Sequence, residues 1–179
     1  MAPIAPKRIC LTGPESTGKT TLAEQIAREL DVPWSREYAR EYAEARNNDL
    51  TAADVEPIAH GEIALLDQAI TEASATSAAL ILHDTDLIST VVYARHYYGA
   101  CPQWIEEEAR LRRAHLYLLL DTDVVWIDDP ARDSGDDARE DLFDAFRAAL
   151  DEFDCQWQII SGDWHERAAN ARSAASASC

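Results

Sequence analysis

Residues 13–20 read Gly13-Pro14-Glu15-Ser16-Thr17-Gly18-Lys19-Thr20, a complete G-x-x-x-x-G-K-[ST] motif. The apolar run Ile9-Cys10-Leu11 precedes it and a helical pattern from Leu22 to Leu30 follows, so the motif stands in the strand-loop-helix setting that gives it meaning. Gly13 and Gly18 let the backbone come close to phosphate oxygens. Consecutive N–H groups across Glu15, Ser16 and Thr17, with the helix start at Thr21, then form an anion nest. Lys19 is expected to reach the outer phosphates of ATP, and Thr20 to place its hydroxyl on a magnesium ion. Lys19 is one of only two lysines in the chain, the other being Lys7.

Working outward, the alternation of short apolar runs with helical patterns predicts an α/β fold. Strands are expected at Arg8–Leu11, Val32–Trp34, Ala79–His83, Leu116–Leu120 and Gln156–Ile160. The runs at 79–83 and 116–120 are nearly uninterrupted, as strands buried on both faces of a parallel sheet should be. Helices are predicted from the loop to Leu30, over Glu37–Arg46, from Thr51 through Ile70, over Asp86–Tyr98, Pro102–Arg113 and Asp141–Phe153, and from Trp164 onward. Thr51 with Asp54 approximates a capping box. Asp, Gly and Pro dominate from Asp121 to Asp137, as in an exposed loop or lid, and the Ser/Ala-rich residues 173–179 are expected to fray. One domain over residues 1–175 with a lid at about 121–139 accounts for the whole pattern.

Composition narrows the function. The 179 residues carry 33 Asp plus Glu against 16 Lys plus Arg, a formal net charge of -17, so a nucleic acid would be repelled by most of the surface. A phosphate site can still gather local positive potential from amides, Lys, Arg and metal. Cys10, Cys101, Cys155 and Cys179 form no C-x-x-C pair, and His60, His83, His96, His115 and His165 show no metal-ligand spacing. No stretch is apolar for the roughly 18 residues a membrane span needs, so a cytoplasmic protein is expected. The oligomeric state is not legible.

Three further stretches carry candidate chemistry. The strand at 79–83 runs into Asp84-Thr85-Asp86. Beside a phosphate loop, Asp84 suits magnesium, held directly or through water. Asp86 suits substrate, a metal water or the proton of an attacking hydroxyl, and equally suits the N-cap of the following helix. The segment Trp34-Ser35-Arg36-Glu37-Tyr38-Ala39-Arg40-Glu41-Tyr42 follows the second strand. Ligands bind beyond the carboxyl ends of open α/β sheets, so it should face the same cleft. Its charges alone would equally make a solvated ion-pair face. Trp126-Ile127-Asp128-Asp129-Pro130-Ala131-Arg132, with Arg139 beyond, reads as a lid whose arginines could supply positive charge to a transferring phosphoryl group.

Together these stretches resemble the ribosylnicotinamide kinase domain of the NadR type, in order and spacing across most of the chain. The resemblance rests on Gly13 to Leu22, Glu37 to Tyr42, Asp84 to Asp86 and Val125 to Arg132, with Tyr97-Tyr98-Gly99 and Cys101-Pro102 downstream. In the lid, Val125 stands where the family has proline and Pro130 where it has glycine. The resemblance implies a P-loop kinase, a three-layer sandwich around a five-stranded parallel sheet in the order 2-3-1-4-5, present here without the family's other domains. It implies transfer of the γ-phosphoryl group of ATP to the 5′-hydroxyl of nicotinamide riboside, a step of NAD biosynthesis, with magnesium. Lys19, Asp84, Asp86 and Arg132 would be catalytic and Arg139 would bind ATP phosphates. Trp34, Tyr38 or Trp126 would stack on the nicotinamide ring. Glu37 or Asp86 would bind ribose hydroxyls, with Arg40 and Asp129 nearby. A kinase for another nucleoside or small hydroxylated substrate, and a nucleotide-bound sensor acting through a partner, are the alternatives.

Overall fold

A computed structural model describes residues 5–124 and 136–177. Five strands, β1 (Lys7–Thr12), β2 (Trp34–Ser35), β3 (Leu80–Asp84), β4 (Leu116–Leu120) and β5 (Trp157–Ile160), form one parallel sheet in the order 2-3-1-4-5. Parallel neighbours cannot be joined by a tight turn, and helices make the crossovers. Among the described residues these are α1 (Lys19–Leu30), α2 (Tyr38–Glu44), α3 (Val55–Thr76), α4 (Leu87–Tyr98), α5 (Gln103–Leu111), α6 (Asp136–Glu152) and α7 (Trp164–Ala177).

The central strands sort alternate side chains into two apolar layers. Ile9, Leu11, Leu118 and Leu120 pack with Leu22 and Ile26 of α1 and with Ala168, Ala171 and Ala175 of α7. Cys10, Tyr117 and Leu119 point the other way, onto Ile88 and Val91 of α4, Ile105 of α5 and Leu142, Phe146 and Leu150 of α6. Of the runs expected to be buried on both faces, Leu80–His83 and Tyr117–Leu120 are so, while Ala79 is exposed and Leu116 half-buried. Cys10 is core, and Cys101 and Cys155 are likewise unbridged.

Among the boundaries that differ from expectation, three have clear local reasons. The edge strand β2 begins at Trp34, because Pro33 has no N–H to give; only its carbonyl joins the sheet, accepting from Leu82 N at 3.1 Å. Helix α6 starts at Asp136, more than a turn before Asp141, since the acidic residues that read as loop sit where a helix N-terminus favours them. Arg139 is therefore helical. Helix α7 continues across the Ser/Ala stretch to Ala177, with Ala171 and Ala175 seated in the core. The Thr51–Asp54 capping box is present, on a 3-10 turn, Ala52–Asp54, that leads straight into α3.

Candidate active site

The phosphate loop joins the end of β1 to the first turn of α1. Gly13 has φ 130°, and a Cβ there would meet Leu120 O at 2.9 Å, so the backbone of β4 requires glycine. Gly18 caps α1 at φ 87°, and its missing Cβ would meet Trp164 at 2.8 Å. Within the loop, Thr17 Oγ1 donates to Pro14 O at 2.9 Å and Lys19 Nζ to the same oxygen at 2.7 Å. The first turn of α1 holds no acidic residue. Its N–H groups and dipole leave positive potential at the loop. Ser16 and Thr20 are half-buried and Thr21 is exposed.

At the end of β3 the two aspartates part company. Thr85 between them takes φ 67°, a left-handed conformation that a β-branched residue adopts only under strain. The strained turn sends Asp84 toward the phosphate loop, where Thr20 Oγ1 donates to its Oδ2 at 2.5 Å. Asp84 Oδ1 is buried and has no hydrogen-bond partner among the described residues. Burial, with the Glu37 charge adding to it, pushes this carboxyl up to about 6. A hydroxyl and a buried carboxylate beside an anion nest are the oxygen donors that magnesium takes when phosphates complete its shell. Among the described residues no group of three or more His, Cys, Asp or Glu is arranged to hold a metal unaided.

Asp86 turns away. Its Oδ1 accepts from Ile88 N at 2.9 Å, the N-cap of α4, and its Oδ2 accepts from the Tyr117 hydroxyl at 2.6 Å. Of the two roles open to it, the cap is the one these bonds realise, with both carboxylate oxygens engaged.

Beyond Asp84–Thr85 lies a cleft of about 340 Å³, between the start of α2, α3 and α4. Glu37, Glu62, Thr85, Ser89 and Thr90 give it polar groups, and Tyr93, Tyr97 and Tyr98 give it aromatic ones. Glu62 Oε1 accepts from Tyr38 N at 3.0 Å and Ala39 N at 3.3 Å, capping α2. Burial first, then the Glu37 charge, pushes the Glu62 carboxyl well above the usual range. The Glu37 charge thus reaches both Glu62 and Asp84.

The remaining residues expected at the site sort as follows. Glu37 lines the cleft; Trp34, Tyr38 and Arg40 are not among its described lining residues. Trp34 packs against the α1 and α7 layer, with Arg36 5.7 Å from its ring centroid. Tyr38 lies on Gly61 of α3, where an added Cβ would fall 2.0 Å from its Cε1. Arg40 is exposed, pairs with Glu44 at 3.1 Å, and its charge is felt at Asp84. Arg139 is buried and donates to Val124 O at 3.4 Å. Trp126, Asp129 and Arg132, with Val125 and Pro130, lie outside the described residues.

Two residues at the site were missed by sequence reasoning. Tyr93 lines the cleft, and its hydroxyl donates to Glu15 Oε2 at 2.8 Å. Arg167 of α7 is fully buried. It donates to Gly162 O at 2.9 Å, Asp121 O at 3.0 Å and Thr17 O at 3.3 Å, and pairs with Asp123. It thereby ties the phosphate loop to the ends of β4 and β5. Its signal was its position, one and two turns before Ala171 and Ala175 on the apolar stripe of α7.

A family model described as an AAA domain matches residues 8–167. No curated protein sequence matches the chain significantly. Among solved structures, the chain is similar to a NadR protein in complex with NR, with 28% identity and a TM-score of 0.76 over 95% of this chain and 50% of that one. A NadR protein in complex with NAD and AMP-PNP is similar at 26% identity and a TM-score of 0.73, over 95% and 48%. Thymidylate kinase from Ehrlichia chaffeensis shares the fold, with 14% identity and a TM-score of 0.68 over 96% and 99%. The chain spans about half the length of the NadR chains it matches. Among the described residues no helix is long and apolar enough to cross a membrane.

Proposed function

The chain belongs to the AAA domain family, and we propose that it is an ATP-dependent small-molecule kinase that phosphorylates the 5′-hydroxyl of nicotinamide riboside, giving nicotinamide mononucleotide and ADP. One observation carries the proposal: a cleft of about 340 Å³ is lined by Thr85, the neighbour of Asp84, and by Tyr93, whose hydroxyl reaches Glu15 of the phosphate loop. That volume lies within the range of small-molecule sites, about 300–1,000 Å³. Its tyrosines and carboxylates suit a planar cation, and the pyridinium ring of nicotinamide riboside is one. Likeness to a NadR protein in complex with NR supports the same acceptor. On this proposal residues 1–175 form one kinase domain, in which Arg132, outside the described residues, would serve the phosphates and Trp126 and Asp129 the acceptor.

Phosphoryl transfer asks for positioning and electrostatics rather than covalent help from the protein. Lys19, the loop amides and the α1 N-terminus hold the triphosphate. Thr20 and Asp84 fit magnesium, which when bound would neutralise charge on the phosphoryl oxygens. The acceptor hydroxyl oxygen forms the new O–P bond as the bond to ADP breaks. Its proton passes to Glu37, the cleft carboxylate whose charge reaches Asp84. Asp86, expected from the sequence to orient this hydroxyl, holds Ile88 N with one oxygen and the Tyr117 hydroxyl with the other.

The test is a coupled ADP-release assay with nicotinamide riboside against a panel of nucleosides. Riboside-dependent ADP release is expected, and Lys19→Ala should lower turnover on the order of 100-fold or more with the fold intact. ATP binding without any acceptor-dependent ADP would favour the sensor reading, and full turnover in Lys19→Ala would remove the catalytic assignment.

A further inference from the structure

We propose that Tyr93 is a positioning residue that couples occupancy of the acceptor cleft to the phosphate loop through its hydrogen bond to Glu15; this rests on the kinase reading of the two sites. Glu15 lies two residues after Gly13, is only 2% exposed, and carries the same sign of charge as the ligand its loop is built to hold. Its carboxylate accepts the Tyr93 hydroxyl at 2.8 Å. The ring bearing that hydroxyl lines the cleft, lies parallel to Tyr97 at 6.1 Å between centroids, and meets Phe146 edge-on at 5.7 Å. One face of a single side chain therefore belongs to the acceptor wall, while its tip belongs to the donor loop.

The element carrying it transmits position well. Helix α4 is fixed at its start by the Asp86 cap and the Tyr117 hydroxyl. A second buried link, Ser89 Oγ to Thr12 Oγ1 at 3.1 Å, joins its first turn to the strand end from which the loop departs. Ser89 also lines the cleft. An acceptor that immobilises the tyrosine wall fixes the Glu15 carboxylate and relieves the ordering cost of the loop. A nucleotide that orders the loop returns the same advantage to the acceptor, because such coupling is reciprocal.

The experiment measures the Kd of magnesium AMP-PNP by calorimetry, without and with saturating nicotinamide riboside. In the wild type the riboside should tighten AMP-PNP by about 5-fold or more, the low end of allosteric couplings. Tyr93→Phe keeps the ring and removes the hydroxyl. It should bring that ratio within about twofold, and because the ratio divides out any change in either ligand's own Kd, general loss of stability does not produce this pattern. Glu15→Gln, which keeps an oxygen acceptor in place, should retain most of the coupling, and Glu15→Ala should abolish it. Should Tyr93→Phe fail to fold, the Glu15 pair gives the same answer from the other end of the bond. Riboside binding without coupling in the wild type, or full coupling in Tyr93→Phe or Glu15→Ala, overturns the inference. No riboside binding at all overturns the acceptor reading and the coupling with it.

Discussion

Asp84→Asn separates stability from function at one residue. The Asp84 side chain is fully buried, its Oδ1 has no hydrogen-bond partner among the described residues, and burial with the Glu37 charge moves its carboxyl from 3.8 to about 6. An acid whose folded pKa lies above its unfolded one binds more protons when folded. Stability is therefore lost as pH rises from about 4 to about 6, and the full penalty stands at neutral pH. A displacement of that size corresponds to about 3 kcal/mol. The amide keeps an oxygen to accept from the Thr20 hydroxyl and carries no charge to desolvate. Asp84→Asn is thus expected to stabilise the ligand-free protein by about 1–3 kcal/mol at pH 7.5, a rise in Tm of roughly 3–10 °C for a chain of this size. Calorimetric scans in EDTA between pH 4.5 and 7.5 should show that gain shrinking toward the acid end, where the wild-type carboxyl takes up its proton. With magnesium and AMP-PNP the order should reverse: the wild type gains stability, while the variant, lacking a carboxylate for the ion, gains little and turns over at least about 100-fold more slowly. A variant less stable than wild type in EDTA at pH 7.5, or a difference that stays constant across the pH range, refutes the assignment of Asp84 as a strained, metal-ready carboxylate.

Three other perturbations have defined outcomes. Gly61→Ala should cost about 1–3 kcal/mol in urea unfolding despite a helix-propensity gain of about 1 kcal/mol, because its Cβ would sit 2.0 Å from Tyr38 Cε1; a more stable variant would show that Tyr38 moves freely. Arg167→Met should lose about 3–5 kcal/mol, since the Asp123 carboxylate and three backbone carbonyls lose their donor. Arg167→Lys should recover only part of it, an ammonium being unable to span those acceptors as a fork does. Raising KCl from 0.1 to 1 M shortens the screening length from about 10 to 3 Å and, with a net charge of -17, should raise Tm by relieving self-repulsion; a falling Tm would mean that attractive surface pairs dominate.

Much of the fold was legible because it depends on local rules. A G-x-x-x-x-G-K-[ST] loop between an apolar run and a helical pattern fixes β1 and α1. Uninterrupted apolar runs at β3 and β4 report burial on both faces. The sheet order came from family resemblance rather than from pattern. Boundaries failed where one residue type serves two purposes. The aspartates before Asp141 read as loop, yet acidic residues also begin helices, and α6 starts at Asp136. Asp86 had a catalytic and a capping reading of equal local merit. Only Tyr117, 31 positions away, shows what its second oxygen does.

The wall of the cleft was hard to read for a different reason. Trp34 lies in β2 and Tyr38 just beyond it, where cleft residues are expected, but strand ends fix only where the backbone goes. The side chains of Trp34 and Tyr38 are drawn to the α1 and α7 layer and to the notch at Gly61. The tyrosines that do line the cleft come from α4, a helix whose apolar content reads simply as core. What distinguishes Tyr93 from a core aromatic is a hydroxyl directed at Glu15, a partner 78 residues earlier in the chain. A charged loop residue buried against an aromatic helix is a long-range fact. Glu15 is the one residue of the phosphate motif whose charge opposes phosphate. In a protein this acidic, three of the carboxylates around the phosphate loop and the cleft are held by donors from elsewhere in the chain: Glu15 by Tyr93, Glu62 by the α2 amides and Asp84 by Thr20.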